Sequence, residues 1–289
     1  MTLASHAVPG APGVRGVAAV PAVPGVPGVR GVAAVPAVPG VRATARVTAT
    51  RAGEGTVLSA LAGDGPFHLR RIHSHGDQAR VCVLGAMNAP LGGDRLRVEA
   101  TAEPGAHLHV TTASAAIALR GPTPEPATYD VHLTVADRAS LHWLPQPLIS
   151  AAGSNLRQTC TIDLAATARL VLREEQVLGR FGEPPGRLAI RLIVHRDGHL
   201  LLDQQTAYGP DAPGWDGPAI LASHRAAGQI LIVDPDLECQ PPQVRLFGDD
   251  PAAGQAVLTP LAGPASLITA LAPDSLHLRR LLDAAHPTE

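Results

Sequence analysis

Apolar and polar residues alternate with a period of two in three segments of the chain, and each segment is interrupted by four residues. The alternation covers residues 96–100 and 108–110, residues 131–135 and 141–143, and residues 161–164 and 170–172. Such alternation is typical of strands with one buried face, and the interruption indicates a tight turn. The landmarks Ala106, Ala139 and Ala168 lie 33 and 29 residues apart. Because one strand–turn–strand unit cannot bury its own apolar face, the repeat predicts stacked, solenoid-like β-layers.

The rest of the chain adds further strands and, near its end, helices. Residues 46–50 and 68–72 alternate, and residues 190–194 and 200–202 flank a turn at Asp197 and Gly198, which predicts a hairpin. Beyond residue 216 the pattern predicts helices over 219–227, 265–271 and 274–285, with strands over 229–233 and 244–247. The expected fold class is therefore mostly β, β-rich over residues 43–215, with a small C-terminal α/β portion over residues 216–289.

Residues 1–42 differ from everything that follows. The fourteen-residue sequence GVRGVAAVPAVPGV occupies residues 13–26 and recurs unchanged from residue 28. Proline removes backbone donors and glycine adds chain entropy, so this repeat does not favour a helix or a central strand. We predict a low-complexity, disordered extension over 1–42 and a folded domain over 43–289.

Composition and charge restrict the classes of function. The chain is 45% apolar with only 2% aromatic residues, and its formal net charge is -2, so no global field favours nucleic acid or an anionic membrane. The three cysteines are far apart in sequence, which indicates reduced thiols rather than a disulfide framework. No apolar run reaches the roughly 20 residues needed to cross a bilayer. The expected location is the cytoplasm.

Histidines are the first candidates for site chemistry, since the usual nucleophile, phosphate-loop and zinc-protease motifs are absent from the sequence. His73 and His75 form a loop pair. His107 and His109 share a strand face, with His132 and His142 at similar places in the next layer. Neutral imidazole is a good ligand for nickel or zinc, so this ladder could hold a divalent cation. Polar decoration of a solvated sheet face is the simpler interpretation.

An ordered set of segments resembles the urease accessory protein UreD (UreH) family. PLGGDRL at 90–96 resembles its Gly-Gly-Asp segment, and residues 110–120 are similar to its "hTTQAATKhYR" segment. LHWLPQP at 141–147 is similar to its "LEWLPQP" signature, LRQ follows at 156–158, and residues 170–180 resemble "hhhhE-hhLGR". The chain departs from the family at Ala115-Ala116, at Ile117-Ala118-Leu119, and at His142, where the family usually has an acid.

The resemblance implies a non-enzymatic maturation chaperone without a tightly bound cofactor. It implies a complex with the accessory proteins UreF and UreG on the urease apoprotein, in which nickel passes through this chain as a transient cargo. Carried over by motif, the expected lining of the nickel passage is Asp94, Glu174 (or its neighbour Glu175) and Asp203. We expect removal of these carboxylates to impair nickel transfer and to leave the stability of the fold nearly intact.

Two other functions fit parts of the sequence. The layer periodicity alone would allow a carbohydrate-active enzyme on a β-solenoid, although such enzymes use aromatic residues that are scarce here. The 13 histidines would allow a stand-alone nickel-binding or storage protein, which would hold several ions per chain tightly.

Overall fold

The computed structural model describes residues 40–74 and 76–286. Almost the whole predicted disordered extension lies outside this range, as do His75 and residues 287–289. Residues 40–42 of that extension lie within it, and the first strand begins at Arg42.

The described part of the chain is built mainly of strands, with one α-helix, α1 (Ser275–Ala285), and a 3-10 turn at Pro235–Glu238. The strands, in chain order, are β1 (Arg42–Ala52), β2 (Gly55–Gly63), β3 (Phe67–Arg71), β4 (Ala79–Gly85), β5 (Arg95–Ala102), β6 (His107–Thr112), β7 (Ala116–Ala118), β8 (Ala127–Val135), β9 (Ser140–Leu144), β10 (Leu148–Ser150), β11 (Asn155–Leu164), β12 (Arg169–Leu178), β13 (Arg187–Arg196), β14 (His199–Tyr208), β15 (Ala226–Val233), β16 (Arg245–Phe247), β17 (Gln255–Pro260) and β18 (Ala265–Ala272). This composition confirms the predicted mostly β class.

The strands form two sheets that enclose the core. Sheet A has the order β14-β13-β11-β8-β5-β1-β2. Its five central strands are parallel, and the edge strands β2 and β14 are antiparallel to their neighbours. Sheet B has the path β16-β17-β18-β15-β12-β9-β6-β4-β3, with β7 and β10 beside β12. Its centre, from β4 to β12, is parallel.

The three predicted strand–turn–strand units are the layers of this structure, although their turns are not hairpin turns. In each unit the first strand (β5, β8 or β11) lies in sheet A and the second (β6, β9 or β12) lies in sheet B. The four-residue break is therefore the corner where the chain crosses between sheets. The alanines that mark these corners, Ala106, Ala139 and Ala168, are buried. The repeat of about 30 residues in the sequence therefore corresponds to one layer of the structure.

The C-terminal region contains more strand than the sequence predicts. Residues 265–271, expected to be helical, form β18 between β15 and β17, because pairing on both edges overrides the helix propensity of alanine and leucine. The helix predicted over 219–227 is also wrong: Ala222 and Ser223 have φ of 46° and 70°, which a right-handed helix excludes, and β15 begins at Ala226.

The strands predicted over 229–233 and 244–247 are confirmed as β15 and β16, and a hairpin and the last helix are confirmed as well. β13 and β14 form the hairpin around Asp197 and Gly198, both of which have positive φ. Helix α1 begins after Asp274, whose carboxylate accepts the N–H of His277 at 2.9 Å. Its residues Leu278 and Leu282 are buried, whereas Leu276 is exposed.

Gly228 explains how closely α1 approaches sheet B. It lies in β15, and a Cβ at this position would lie 3.0 Å from Leu282 Cδ1 and 3.2 Å from Leu278 Cδ2. The missing side chain at Gly228 therefore allows the helix to pack closely on the strand. Within the described residues, no helix has the length and apolarity needed to cross a membrane.

Candidate functional site

Strand β12 places two consecutive acids on opposite faces of sheet B, and both are buried. Leu170 and Leu172 pack in the core between the sheets. Because strand side chains alternate, Glu174 continues that inward face and Glu175 points to the outer one. Glu174 is 5% exposed and Glu175 is 3% exposed. A buried carboxylate is unfavourable unless it is hydrogen-bonded or paired, so the partners of each acid define its role.

Glu174 is held by side-chain amides from both sheets. Its Oε2 accepts from Nε2 of Gln229, the residue directly opposite it on β15, at 2.8 Å. Its Oε1 accepts from Nε2 of Gln158, on β11 of sheet A, at 3.4 Å. Gln204 of β14 in turn donates to Oε1 of Gln229. Burial raises the pKa of Glu174, and the two amide donors offset only part of this effect.

Three neighbouring cavities are lined by residues of both sheets, and Glu174 lines two of them. Cavity I, about 250 Å³, is lined by residues that include Pro66, Met87, Pro90, Ile117 and Tyr129. Cavity II, about 50 Å³, shares Thr112, Ala116 and Tyr129 with cavity I, and is also lined by Trp143, Gln158 and Glu174. Cavity III, about 160 Å³, shares Glu174 and Gln176 with cavity II and is also lined by Gln204, Tyr208 and Gln229.

Polar side chains are concentrated around Glu174. Cavity I is mostly apolar, whereas the wall around Glu174 carries side-chain amides and the Tyr208 hydroxyl. Burial raises the pKa of Tyr208 to about 12, and the nearby Glu174 contributes to the rise, so the phenol stays protonated near neutral pH. The arrangement places carboxylate, amide and phenol oxygens around the junction of cavities II and III.

Glu175 serves the fold. Its Oε1 accepts from Nε of Arg173 at 2.7 Å and from Arg279 of α1 at 3.2 Å. Arg173 also donates to Asp283 of α1 at 2.5 Å. Of the two adjacent acids that the sequence left open, Glu174 lines cavities II and III, whereas Glu175 lines cavity II alone and links sheet B to α1.

Asp94 lies at the start of β5 and is 2% exposed. Its two carboxylate oxygens accept the backbone N–H groups of Val41 and Leu91, each at 2.8 Å. The carboxylate therefore joins the first residues of the domain to the turn that precedes β5. Asp94 is not among the residues that line cavities I to III.

Asp203 lies on β14 with its side chain on the outer face of sheet A. It forms a two-point ion pair with Arg191 of β13, at 3.0 and 2.7 Å, and this pairing lowers its pKa. The three acids expected to line one passage are thus separated: Glu174 reaches the internal cavities, Asp94 closes a turn, and Asp203 faces away from the core.

The predicted histidine ladder is divided between the two sheets. His109 and His142 are neighbours on β6 and β9, with ring centroids 5.9 Å apart, whereas His132 lies on β8 of sheet A, opposite Glu99. Burial, with help from Arg80 and His142, lowers the pKa of His109 to about 4. Among the described residues, no group of three or more His, Cys, Asp or Glu side chains is placed to hold a metal ion.

The amides around Glu174 were not predicted from the sequence as site residues. A signal for them exists, since Gln158, Gln204 and Gln229 each occupy the inward phase of their strand, where most other residues are apolar. A polar residue in an apolar phase is informative, but the sequence does not show that three distant strands bring these residues together.

Comparison with known proteins identifies relatives along nearly the whole described domain. The profile of the UreD urease accessory protein family matches residues 41–288. "Urease accessory protein UreD 2" of Saccharopolyspora erythraea is 63% identical over 230 residues, covering 80% of this chain and 81% of the relative. "Urease accessory protein UreD" of Streptomyces coelicolor is 56% identical over 232 residues, covering 80% and 89%. The Parafrankia protein of the same name is 38% identical over 253 residues, covering 80% and 83%.

Proposed function

Because this chain belongs to the UreD family of urease accessory proteins, we propose that it acts in urease maturation as a non-enzymatic chaperone. In this role it binds the urease apoprotein together with UreF and UreG in the cytoplasm, and it assists delivery of nickel to the active site of urease. Nickel is a transient cargo of the chain, not a resident cofactor.

The observation that carries the nickel proposal is the position of Glu174 between cavities II and III. An ionised carboxylate inside a protein is unfavourable unless something compensates for the lost hydration. A passing divalent cation supplies that compensation, and oxygen ligands suit a hard or borderline ion that must be released again. In this proposal the ion passes through cavities II and III, both of which border Glu174.

The test is the substitution Glu174→Gln, which removes the charge and keeps the size of the side chain. Apo-urease, UreF, UreG and the variant are combined at limiting nickel, and urease activity is followed with time. We expect the rate of activation to fall severalfold while size-exclusion chromatography shows that the complex still assembles.

The matched control is Glu54→Gln, because Glu54 is a fully exposed acid in the turn between β1 and β2. We expect it to behave as the parent chain. If Glu174→Gln activates urease at the parent rate, the nickel route does not include Glu174. If the variant fails to assemble, Glu174 serves the fold or an interface.

A further inference from the structure

Glu174 and Gln176 line both cavity II and cavity III, and two further side chains contact Glu174 there. Of these two, Gln158 lines cavity II and Gln229 lines cavity III. The carboxylate therefore receives one amide donor from each side of the junction, at 3.4 and 2.8 Å. A cation that binds Glu174 at this junction meets the two N–H groups that now contact the carboxylate.

The orientation of the amides matters because an amide side chain has a partially positive N–H end and a partially negative carbonyl oxygen. The Nε2 groups of Gln158 and Gln229 face the carboxylate, and an N–H donor repels a cation. Each amide also carries a carbonyl oxygen, and rotation about the last side-chain torsion, which is soft in glutamine, exchanges the two ends. Gln229 is held in the donor orientation by Gln204, which donates to its Oε1.

We propose that Gln158 and Gln229 form, with Glu174, a gate that responds to a divalent cation. In the clamped state the two amides donate to the carboxylate. When a divalent cation reaches the junction, the amides invert and present their carbonyl oxygens, so that the ion is bound by one carboxylate and two neutral oxygens. This gate rests on the proposed nickel passage and names the groups that hold the ion there.

Such a ligand set suits transit. Sites that retain transition metals tightly use imidazole or thiolate ligands, whereas carboxylate and carbonyl oxygens bind such ions more loosely. The gate has a single charged ligand, so the attraction is sufficient to draw a cation from the neighbouring cavity and too weak to store it. Gln204 adds to the free energy needed to open the gate, because inversion of Gln229 requires loss of the hydrogen bond between these two residues.

The experiment measures binding of Ni²⁺ to the full chain through the fluorescence of Trp143, which lines cavity II together with Glu174. The chain has two tryptophans, so Trp215→Phe leaves Trp143 as the only one. Paramagnetic Ni²⁺ quenches a nearby indole. The part of the quenching that disappears in Glu174→Gln reports the gate and excludes ions bound at surface histidines.

Three substitutions to methionine, which is similar in size to glutamine, test the gate. Gln158→Met and Gln229→Met remove a carbonyl ligand, and we expect Ni²⁺ affinity to fall about fivefold, the equivalent of one hydrogen bond of about 1 kcal/mol. Gln204→Met leaves both carbonyl ligands in place and frees Gln229 to invert, so we expect Ni²⁺ affinity to rise by a similar factor.

The gate predicts changes in Ni²⁺ affinity of opposite sign, a decrease for Gln229→Met and an increase for Gln204→Met. If the amides only anchor Glu174, Gln204→Met and Gln229→Met both loosen the same chain of hydrogen bonds, and their effects share a sign; that result overturns the proposal. Should Gln229→Met destabilise the fold, Gln204→Met decides alone, because damage to the fold does not raise affinity. If Glu174→Gln slows urease activation but the glutamine variants leave Ni²⁺ affinity unchanged, the passage stands and the gate is rejected.

Discussion

At the scale of single residues, Asp94 and Glu174 show how two buried acids take different roles. Asp94 accepts two backbone N–H groups, which fixes its position and uses both oxygens. Glu174 accepts from side-chain amides that can rotate away. The first arrangement suits a permanent structural link, and the second suits a group whose partners change.

The first prediction concerns stability at Asp94. Asp94→Ala leaves the N–H groups of Val41 and Leu91 without an acceptor, and such loss inside a protein costs roughly 1–3 kcal/mol for each group. We therefore expect a marked fall in the urea midpoint of unfolding, in contrast to the sequence-based expectation of an unchanged stability. Glu54→Ala, at an exposed turn, is the control and should leave the midpoint in place. An unchanged midpoint for Asp94→Ala would show that water or other groups replace the carboxylate.

At the scale of elements, the three corners between the sheets follow one plan with different residues. The residue before the buried alanine is Gly105 in the first corner, with φ of 70°, and Arg138 in the second, with φ of 55°. Thr167 holds this place in the third corner, and its hydroxyl accepts the N–H of Arg138 at 2.8 Å. Stacked corners are thus joined to each other, and one of them places a non-glycine residue in the left-handed region.

The second prediction follows from that conformation. A left-handed backbone costs a residue with a Cβ roughly 1–2 kcal/mol, and glycine avoids this cost at the expense of about 0.5–1 kcal/mol of chain entropy. We expect Arg138→Gly to stabilise the fold by about 0.5–1 kcal/mol, measured by urea denaturation. Ala136→Gly, in the same turn but at negative φ, should destabilise by a similar amount. If both substitutions destabilise the fold, the Arg138 side chain stabilises it by more than the strain of its backbone destabilises it.

At the scale of the whole molecule, the two sheets are held together by an apolar core that becomes polar at one end. Valine, leucine and alanine fill the space between the central parallel strands, and the amide-lined cavities follow beside β11, β12 and β15. Glu174 lies within this polar end, so the stability of the entire domain includes the penalty for its burial.

The third prediction is the dependence of that stability on pH. The pKa of Glu174 is raised in the folded state above its ordinary value of 4.5, so the folded chain holds this proton more strongly than the unfolded chain does. The contribution of Glu174 to stability is therefore complete below pH 4.5 and is lost as the pH rises through the raised folded pKa. Glu174→Gln does not titrate, so its stability relative to the parent chain should increase over this interval, as measured by urea denaturation at successive pH values. A constant difference would indicate that the carboxyl has the same pKa in both states.

The sequence by itself determined the local pattern and the identity of the family. Alternation over 96–172 is set by which side of a strand is buried, so it predicted the layers, and residues 90–180 were sufficient to indicate the UreD family. Only the tertiary structure decided that the four-residue breaks cross between sheets and that residues 265–271 pair as a strand, because both depend on partners distant in the chain. It also decided which acid reaches the interior. Asp94, Glu174 and Asp203 are all carboxylates on or beside strands, and their roles differ because backbone N–H groups, amides from other strands and an arginine, respectively, surround them in space.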